Sequence, residues 1–217
     1  MNFSSTGKHA RLHTYFRSSA AYRVRIALAL KGIAFEAVPV NLLKGGQDED
    51  AFRAVNPQGR VPVLAIDGDV LTQSPAILEY LEECCPDPPL LPSRPLDRAR
   101  IRAACALIAC DIHPLNNIGV LRYLKRQMGQ DQASIDAWYT HWIREGFNAL
   151  EPLLRPNPFA FGPHPTLADV YLVPQVYNAR RMNISLDGYP SIRAVDAACA
   201  EIPAFVAARP DHQDDAA

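Results

Sequence analysis

Residues 85–95, Cys85-Pro86-Asp87-Pro88-Pro89-Leu90-Leu91-Pro92-Ser93-Arg94-Pro95, hold five prolines in eleven positions. Proline has no amide hydrogen and its ring clashes with a preceding helical turn, so this stretch fits neither a helix interior nor a strand and reads as a linker. It splits the chain into two halves with different periodicities. Before it, short apolar runs alternate with helical stretches; after it, only the helical period recurs. At 217 residues the chain is long enough for both halves to bury a core.

The first half resolves into elements in order. Arg11 to Phe16 reads as a strand that runs into Arg17-Ser18-Ser19. A helix follows, with Val24, Ala27 and Leu28 at helical spacing and Gly32 where a helix ends. Phe35 to Val40 is a second strand, and Pro39 suits a sheet edge, where a missing N–H costs little. Asn41 to Gln47 is a loop, and Asp48 to Val55 a short helix stopped by Asn56-Pro57. Gly59 to Ile66 is a third strand, with Asp67-Gly68 as a hairpin turn into Asp69-Val70-Leu71. Ser74 then caps a helix whose first position is Pro75. The order β-α-β-α-β-β-α, with a proline opening the third strand, resembles the thioredoxin-like fold, and that resemblance implies a cis Val61–Pro62 bond. The first domain is expected over residues 10–85.

Beyond the linker, Leu96 to Met128, Ile135 to Leu154, Leu167 to Arg180 and Ile192 to Ala208 all read as helices, with Pro114 and Pro174 expected to kink or break theirs. The expected fold class is therefore an α/β domain followed by an all-α domain over residues 96–208, with Arg209 to Ala217 a frayed tail. Thr166-Leu167-Ala168-Asp169 is a capping box with Asp in place of Glu.

Composition narrows the partners. Twenty-two basic against 23 acidic side chains leave a net charge of −1, which provides no field for nucleic acid or an anionic membrane. No run reaches the roughly 18 apolar residues of a membrane span, and the first residues lack the apolar stretch of a signal peptide, so a cytoplasmic protein whose partner is a small molecule or another chain is expected. Five cysteines, none in a C-x-x-C pair or at metal-binding spacing with histidine, read as reduced thiols that mostly fill the core, and no metal site is expected.

The chemistry points to the start of the first helix. A helix N-terminus carries unpaired N–H groups and about half a positive charge, so Ser18 and Ser19 stand where an anion such as a carboxylate, phosphate or thiolate is favoured. A serine there is also a plain helix cap, and the two roles are compatible.

Several motifs together resemble the cytosolic glutathione transferases, and within them the zeta class. Tyr15-Phe16-Arg17-Ser18-Ser19-x-x-Tyr22-Arg23-Val24-Arg25-Ile26-Ala27-Leu28 is similar to that class's signature S-S-C-x-W-R-V-R-I-A-L. Leu30-Lys31-Gly32-Ile33, Asn56-Pro57, Gln73-Ser74-x-Ala76-Ile77, Leu90-Leu91-Pro92, Ala168-Asp169 and Leu172-Val173-Pro174-Gln175-Val176 match as well. The resemblance implies a homodimer with glutathione as cofactor. It also implies cis–trans isomerisation of a maleyl keto-acid to its fumaryl isomer, in aromatic ring-cleavage catabolism. Carried over, Ser18 supports the glutathione sulfur with Ser19 beside it, Gln47 meets the peptide, and Val61 offers its backbone to the cysteinyl part. Gln73 and Ser74 hold the γ-glutamyl carboxylate, and His113 and Asn117 line the same cleft. In the signature a cysteine follows the serines and a tryptophan comes two further on, where this chain has Ala20 and Tyr22. The reactive sulfur must then come from the cofactor. A dicarboxylate substrate calls for cations, and Arg17 and Arg181, with Arg180 beside it, are the candidates. The competing readings are a transferase that conjugates or dehalogenates small electrophiles, and a non-catalytic binding module of the same fold.

Overall fold

The computed structural model describes residues 10–216. The chain divides into two compact units: one runs to Leu90 and is rejoined by the chain from Ala200 onward, and the other is Leu91–Cys199. No helix among the described residues is long and apolar enough to cross a membrane.

The first unit contains β1 (Ala10–Thr14), α1 (Ser19–Leu30), β2 (Phe35–Pro39), α2 (Asp50–Val55), β3 (Val63–Ile66), β4 (Asp69–Thr72) and α3 (Ser74–Cys84). The strands form one sheet in the order β2-β1-β3-β4. β1 and β2 are parallel, which requires the α1 crossover, whereas β3 and β4 form a hairpin antiparallel to β1. β2 is an edge strand, so Pro39 costs no ladder bond on its open side. Asp67 and Gly68 at the hairpin turn have φ of 56° and 91°, the left-handed pair a two-residue hairpin needs. Val61–Pro62 is cis. Phe52 of α2 packs with Val40 and Val63, and Leu42, Val55 and Val61 flank this cluster.

α1 is buried from Ser19 to Leu28 and packs against α3. It ends at Gly32, whose φ of 65° lets the Ile33 N–H reach the Leu28 carbonyl at 2.9 Å and the Gly32 N–H that of Ala29 at 3.2 Å. Lys31, next to this turn, places a fully buried ammonium 2.8 Å from Glu82 of α3. It also donates to the Cys85 and Pro88 carbonyls, while Glu82 accepts from the Leu90 N–H at 3.0 Å. The proline-rich stretch is thereby tied to α1 and α3.

The second unit is built from α4 (Pro95–Ala106), α5 (Ile118–Arg126), α6 (Gln132–Leu150), α7 (Leu167–Arg181) and α8 (Pro190–Ala200). The helical stretch from Leu96 to Met128 is interrupted near Pro114, where a kink or break is expected. α4 passes into a π-helical turn, Leu107–Ile112, and Pro114 follows it, so a new helix starts at Ile118 under an Asn117 cap. α6 packs on the π turn at Gly146, where a Cβ would overlap the Ile112 side chain. Pro174, by contrast, does not break its helix, because α7 runs through it with nearly all its residues buried, and that packing outweighs one missing hydrogen bond. The capping box is formed. Asp169 is fully buried and accepts from the Thr166 N–H at 2.7 Å, the Thr166 hydroxyl at 2.8 Å and the Ala160 N–H at 2.8 Å.

The C-terminal segment departs from the expected continuous helix over Ile192 to Ala208. α8 stops at Ala200, and Pro203 opens a separate helix, α9 (Pro203–Ala207), since proline is tolerated in a first turn but not inside. α9 packs on α1, with the Tyr22 hydroxyl 3.4 Å from the Phe205 carbonyl and Arg25 Nε 3.1 Å from that of Ala208. The expected second domain, 96–208, therefore differs at its C-terminal boundary, because the chain from Ala200 clusters with the first unit. The tail is docked as well: two 3-10 turns follow, and Asp215 accepts from the Phe16 N–H at 2.9 Å. The cysteines fill the core less than expected. Cys105 and Cys199 are buried, Cys84 and Cys85 partly so, and Cys110 is exposed. Burial pushes the Cys199 thiol far up, and the Asp169 and Asp196 carboxylates push it further.

Candidate active site

Strand register gathers the first unit's candidate residues. His13 of β1 stands opposite Val63 of β3, Val63 opposite Thr72 of β4, and Thr14 opposite Pro39 of β2. One end of the sheet therefore releases Tyr15–Ser18 after β1, the loop with Gln47 after β2, Val61–Pro62 before β3 and Gln73–Ser74 after β4. The mixed strand directions bring residues far apart in sequence to that single end.

Ser18 is the N-cap of α1. Its Oγ accepts from the Ala21 N–H at 3.2 Å, and its own N–H donates to the Tyr15 carbonyl at 2.9 Å. Accepting with a lone pair leaves the hydroxyl proton to donate, so one atom serves both cap and anion. The first turn of α1 contains no acid, which keeps the helix dipole available to an incoming charge. Ser19 is the first helical residue and is buried. Arg17 is exposed at the end of the turn, its guanidinium 4.9 Å from the Phe16 ring centroid.

At α3 the cap is one residue earlier than expected. Gln73 is the N-cap and Ser74 the first helical residue. Gln73 has φ 67° and ψ 113°, a strained combination for a residue with a Cβ, and its amide donates to Gln58 Oε1 at 2.7 Å. Ser74 is buried, with Arg23 Nη1 of α1 3.4 Å from its Oγ, a contact that ties the two helix starts together. Gln47 is 6% exposed. Its amide nitrogen donates to Asp48 at 2.7 Å, whereas its Oε1 is buried with no partner among the described residues. A buried acceptor in that state is costly and suits a peptide N–H from a ligand. With the open hydroxyl of Ser18 and the α3 N-terminus, these residues fit a tripeptide that has a thiol at one point and a carboxylate at another.

In the second unit, His113 follows the π turn and Asn117 caps α5, its Oδ1 accepting from the Gly119 N–H at 2.9 Å. The loop between them is held to α6, where Trp138 donates to the Leu115 carbonyl at 2.9 Å and Asn116 to that of Tyr139 at 3.2 Å. Arg181, the last residue of α7, is exposed and donates to the Tyr139 hydroxyl at 3.5 Å. Burial pushes the Tyr139 phenol up, and Arg181 pulls it partly back. Arg180 is occupied differently, with Nη2 2.6 Å from Asp196 of α8, which leaves Arg181 as the available cation of the pair.

Three further residues brace these candidates. Tyr139 supports Arg181, Arg25 donates to Thr14 Oγ1 at 3.0 Å and the Phe16 carbonyl at 3.1 Å, and Asp215 holds the Phe16 N–H. Arg25 belongs to the quoted signature, but nothing in its spacing says which way the side chain points. Asp215 lies 199 residues from its partner.

Comparison with known proteins gives the class. The family model for the glutathione S-transferase N-terminal domain matches residues 17–84, and the one for the C-terminal domain matches residues 132–195. The chain belongs to the glutathione S-transferase family. Maleylacetoacetate and maleylpyruvate isomerases are among its relatives. A maleylacetoacetate isomerase of Pseudomonas aeruginosa is 51% identical over 94% of this chain and 98% of that one. A solved holo structure of a maleylpyruvate isomerase, described as a bacterial zeta-class glutathione S-transferase, superposes with a TM-score of 0.93 at 50% identity, over 95% of this chain and 100% of that one. A maleylacetoacetate isomerase of Anaeromyxobacter dehalogenans, solved with dicarboxyethyl glutathione and citrate in its active site, has a TM-score of 0.87 at 45% identity, covering 97% and 98%.

Proposed function

We propose that this protein is a glutathione-dependent isomerase that converts a maleyl keto-acid to its fumaryl isomer. The observation that carries the reading is the start of α1: a serine hydroxyl with its proton free to donate, on a helix end without an acid, with Ala20 where the class has its cysteine. Glutathione, when bound, supplies a thiolate that adds reversibly to the maleyl double bond, lowers its bond order so that rotation is fast, and is released unchanged. Support comes from the Anaeromyxobacter relative, since a dicarboxyethyl group on sulfur is what thiol addition to a butenedioic acid yields.

The chain's own residues then have distinct tasks. Ser18 donates to the sulfur and, with the α1 dipole, holds its pKa below the roughly 8.5 of a free thiol. Ser19 sits beside it. Gln47 and the Val61 backbone hold the peptide; Gln73 and Ser74 hold the γ-glutamyl carboxylate at the α3 N-terminus. His113 and Asn117, of the second unit, are assigned to glutathione binding as the zeta-class resemblance implies. Arg17 and Arg181 grip the substrate carboxylates, and Arg17 steadies the oxygen on which negative charge develops. In this assignment residues 10–85 form the glutathione-binding domain and the helices α4 to α8 the substrate domain, whose expected range of 96–208 is shortened because α9 packs with the first unit. A cytoplasmic homodimer accords with the zeta-class resemblance.

The test supplies maleylacetoacetate or maleylpyruvate with glutathione well below the substrate concentration and follows fumaryl product. Many products per glutathione are expected with at least one of the two. Product that stops at one equivalent, or glutathione lost to a conjugate, would replace isomerisation with ordinary transfer.

A further inference from the structure

Phe16 stands two residues before Ser18, and both polar atoms of its backbone are held by charged side chains. Its carbonyl accepts from Arg25 Nη2 at 3.1 Å, and its N–H donates to Asp215 Oδ2 at 2.9 Å. Arg25 is 1% exposed, and its other donors go to Thr14 Oγ1, at the end of β1, and to the Ala208 carbonyl, where the C-terminal tail begins. A closed circuit results, running from Arg25 to Ala208, along the tail to Asp215, through the Phe16 backbone from its N–H to its carbonyl, and back to Arg25. It clamps the turn that carries Arg17 and Ser18.

We propose that Asp215 and Arg25 are positioning residues for the Ser18 hydroxyl, so that the C-terminal tail forms part of the support of the active site. The inference rests on Ser18 acting as donor to the glutathione sulfur. Ser18 Oγ has to accept from Ala21 and donate outward at once, which leaves its turn little room to shift. Bonds to the N–H and the C=O of one residue hold the peptide groups on either side of it, and the charge on each partner strengthens them. A displacement near 1 Å ends a hydrogen bond, and misplacement on that scale can lower rates by up to about a hundredfold.

The test compares Asp215→Ala, Asp215→Asn and Ser18→Ala in the full-length protein, reading the pKa of bound glutathione from the ultraviolet absorbance of its thiolate, together with kcat/KM and thermal stability. Asp215→Ala is expected to raise the bound thiol's pKa and to lower kcat/KM about fivefold. Asp215→Asn keeps an acceptor for the Phe16 N–H without the charge and is expected to reverse most of that shift in thiol pKa, though not all of it. An unchanged thiol pKa in Asp215→Ala, with or without a loss of stability, reduces the tail to a structural tie and overturns the inference. So does Asn behaving like Ala. If Ser18→Ala leaves the thiol pKa unchanged, it is the reading of Ser18 that fails, and this arm separates the two failures.

Discussion

Ser18 combines two duties that a single hydroxyl can meet at once, and its removal separates them. Ser18→Ala is expected to cost about 1 kcal/mol of stability through the lost cap, and to cut turnover by roughly tenfold or more as the bound thiol's pKa rises. Denaturant unfolding and the pH–rate profile report the two effects independently; a wild-type rate removes Ser18 from the mechanism. Arg181 is a different kind of group, an exposed cation braced by a buried phenol. Arg181→Ala should raise the substrate KM far more than the glutathione KM, and Tyr139→Phe should shift it the same way by less. Equal effects on both KM values would take Arg181 out of substrate binding. The serines and arginines could be named as candidates from type and position. What each one touches was not: Arg180 and Arg181 are neighbours in sequence, yet one pairs with Asp196 and the other leans on Tyr139.

Among the elements, the helix caps were the most readable, because caps follow from local geometry. Gly32 ends α1 and Thr166–Asp169 opens α7 as their residue types require. The cap of α3 slipped by one residue, since Gln73 adopts a left-handed φ that no propensity favours and Arg23 reaches across from α1 to Ser74. The π turn was not readable at all. It packs against α6, with Ile112 set against Gly146, and that contact predicts a mutational response. Gly146→Ala should destabilise the protein by about 1–3 kcal/mol through overpacking. Adding Ile112→Ala should cost less than the sum of the two single changes, because the same space is contested. Strict additivity in thermal unfolding would mean that the two side chains do not compete.

At the scale of the whole molecule, the buried Lys31–Glu82 pair joins α1, α3 and the proline-rich stretch. Glu82→Ala leaves a buried ammonium with carbonyl partners alone, and it is expected to lower stability by about 3 kcal/mol, measured by urea unfolding; a loss below about 1 kcal/mol would show that those carbonyls suffice. By itself the sequence determined the two halves and their class, the order of strands and helices before the linker, the helix start at which an anion is welcome, and the family signature. All of these rest on short-range rules: periodicity, proline and glycine geometry, and the charge of a helix end. Only the tertiary structure decided that α9 and the tail return to the first unit and that Asp215 clamps the turn before Ser18. It also decided that candidate residues from four separate segments leave the sheet at one end. Those contacts join residues far apart along the chain, and which of them form depends on packing and strand register, which no local pattern encodes.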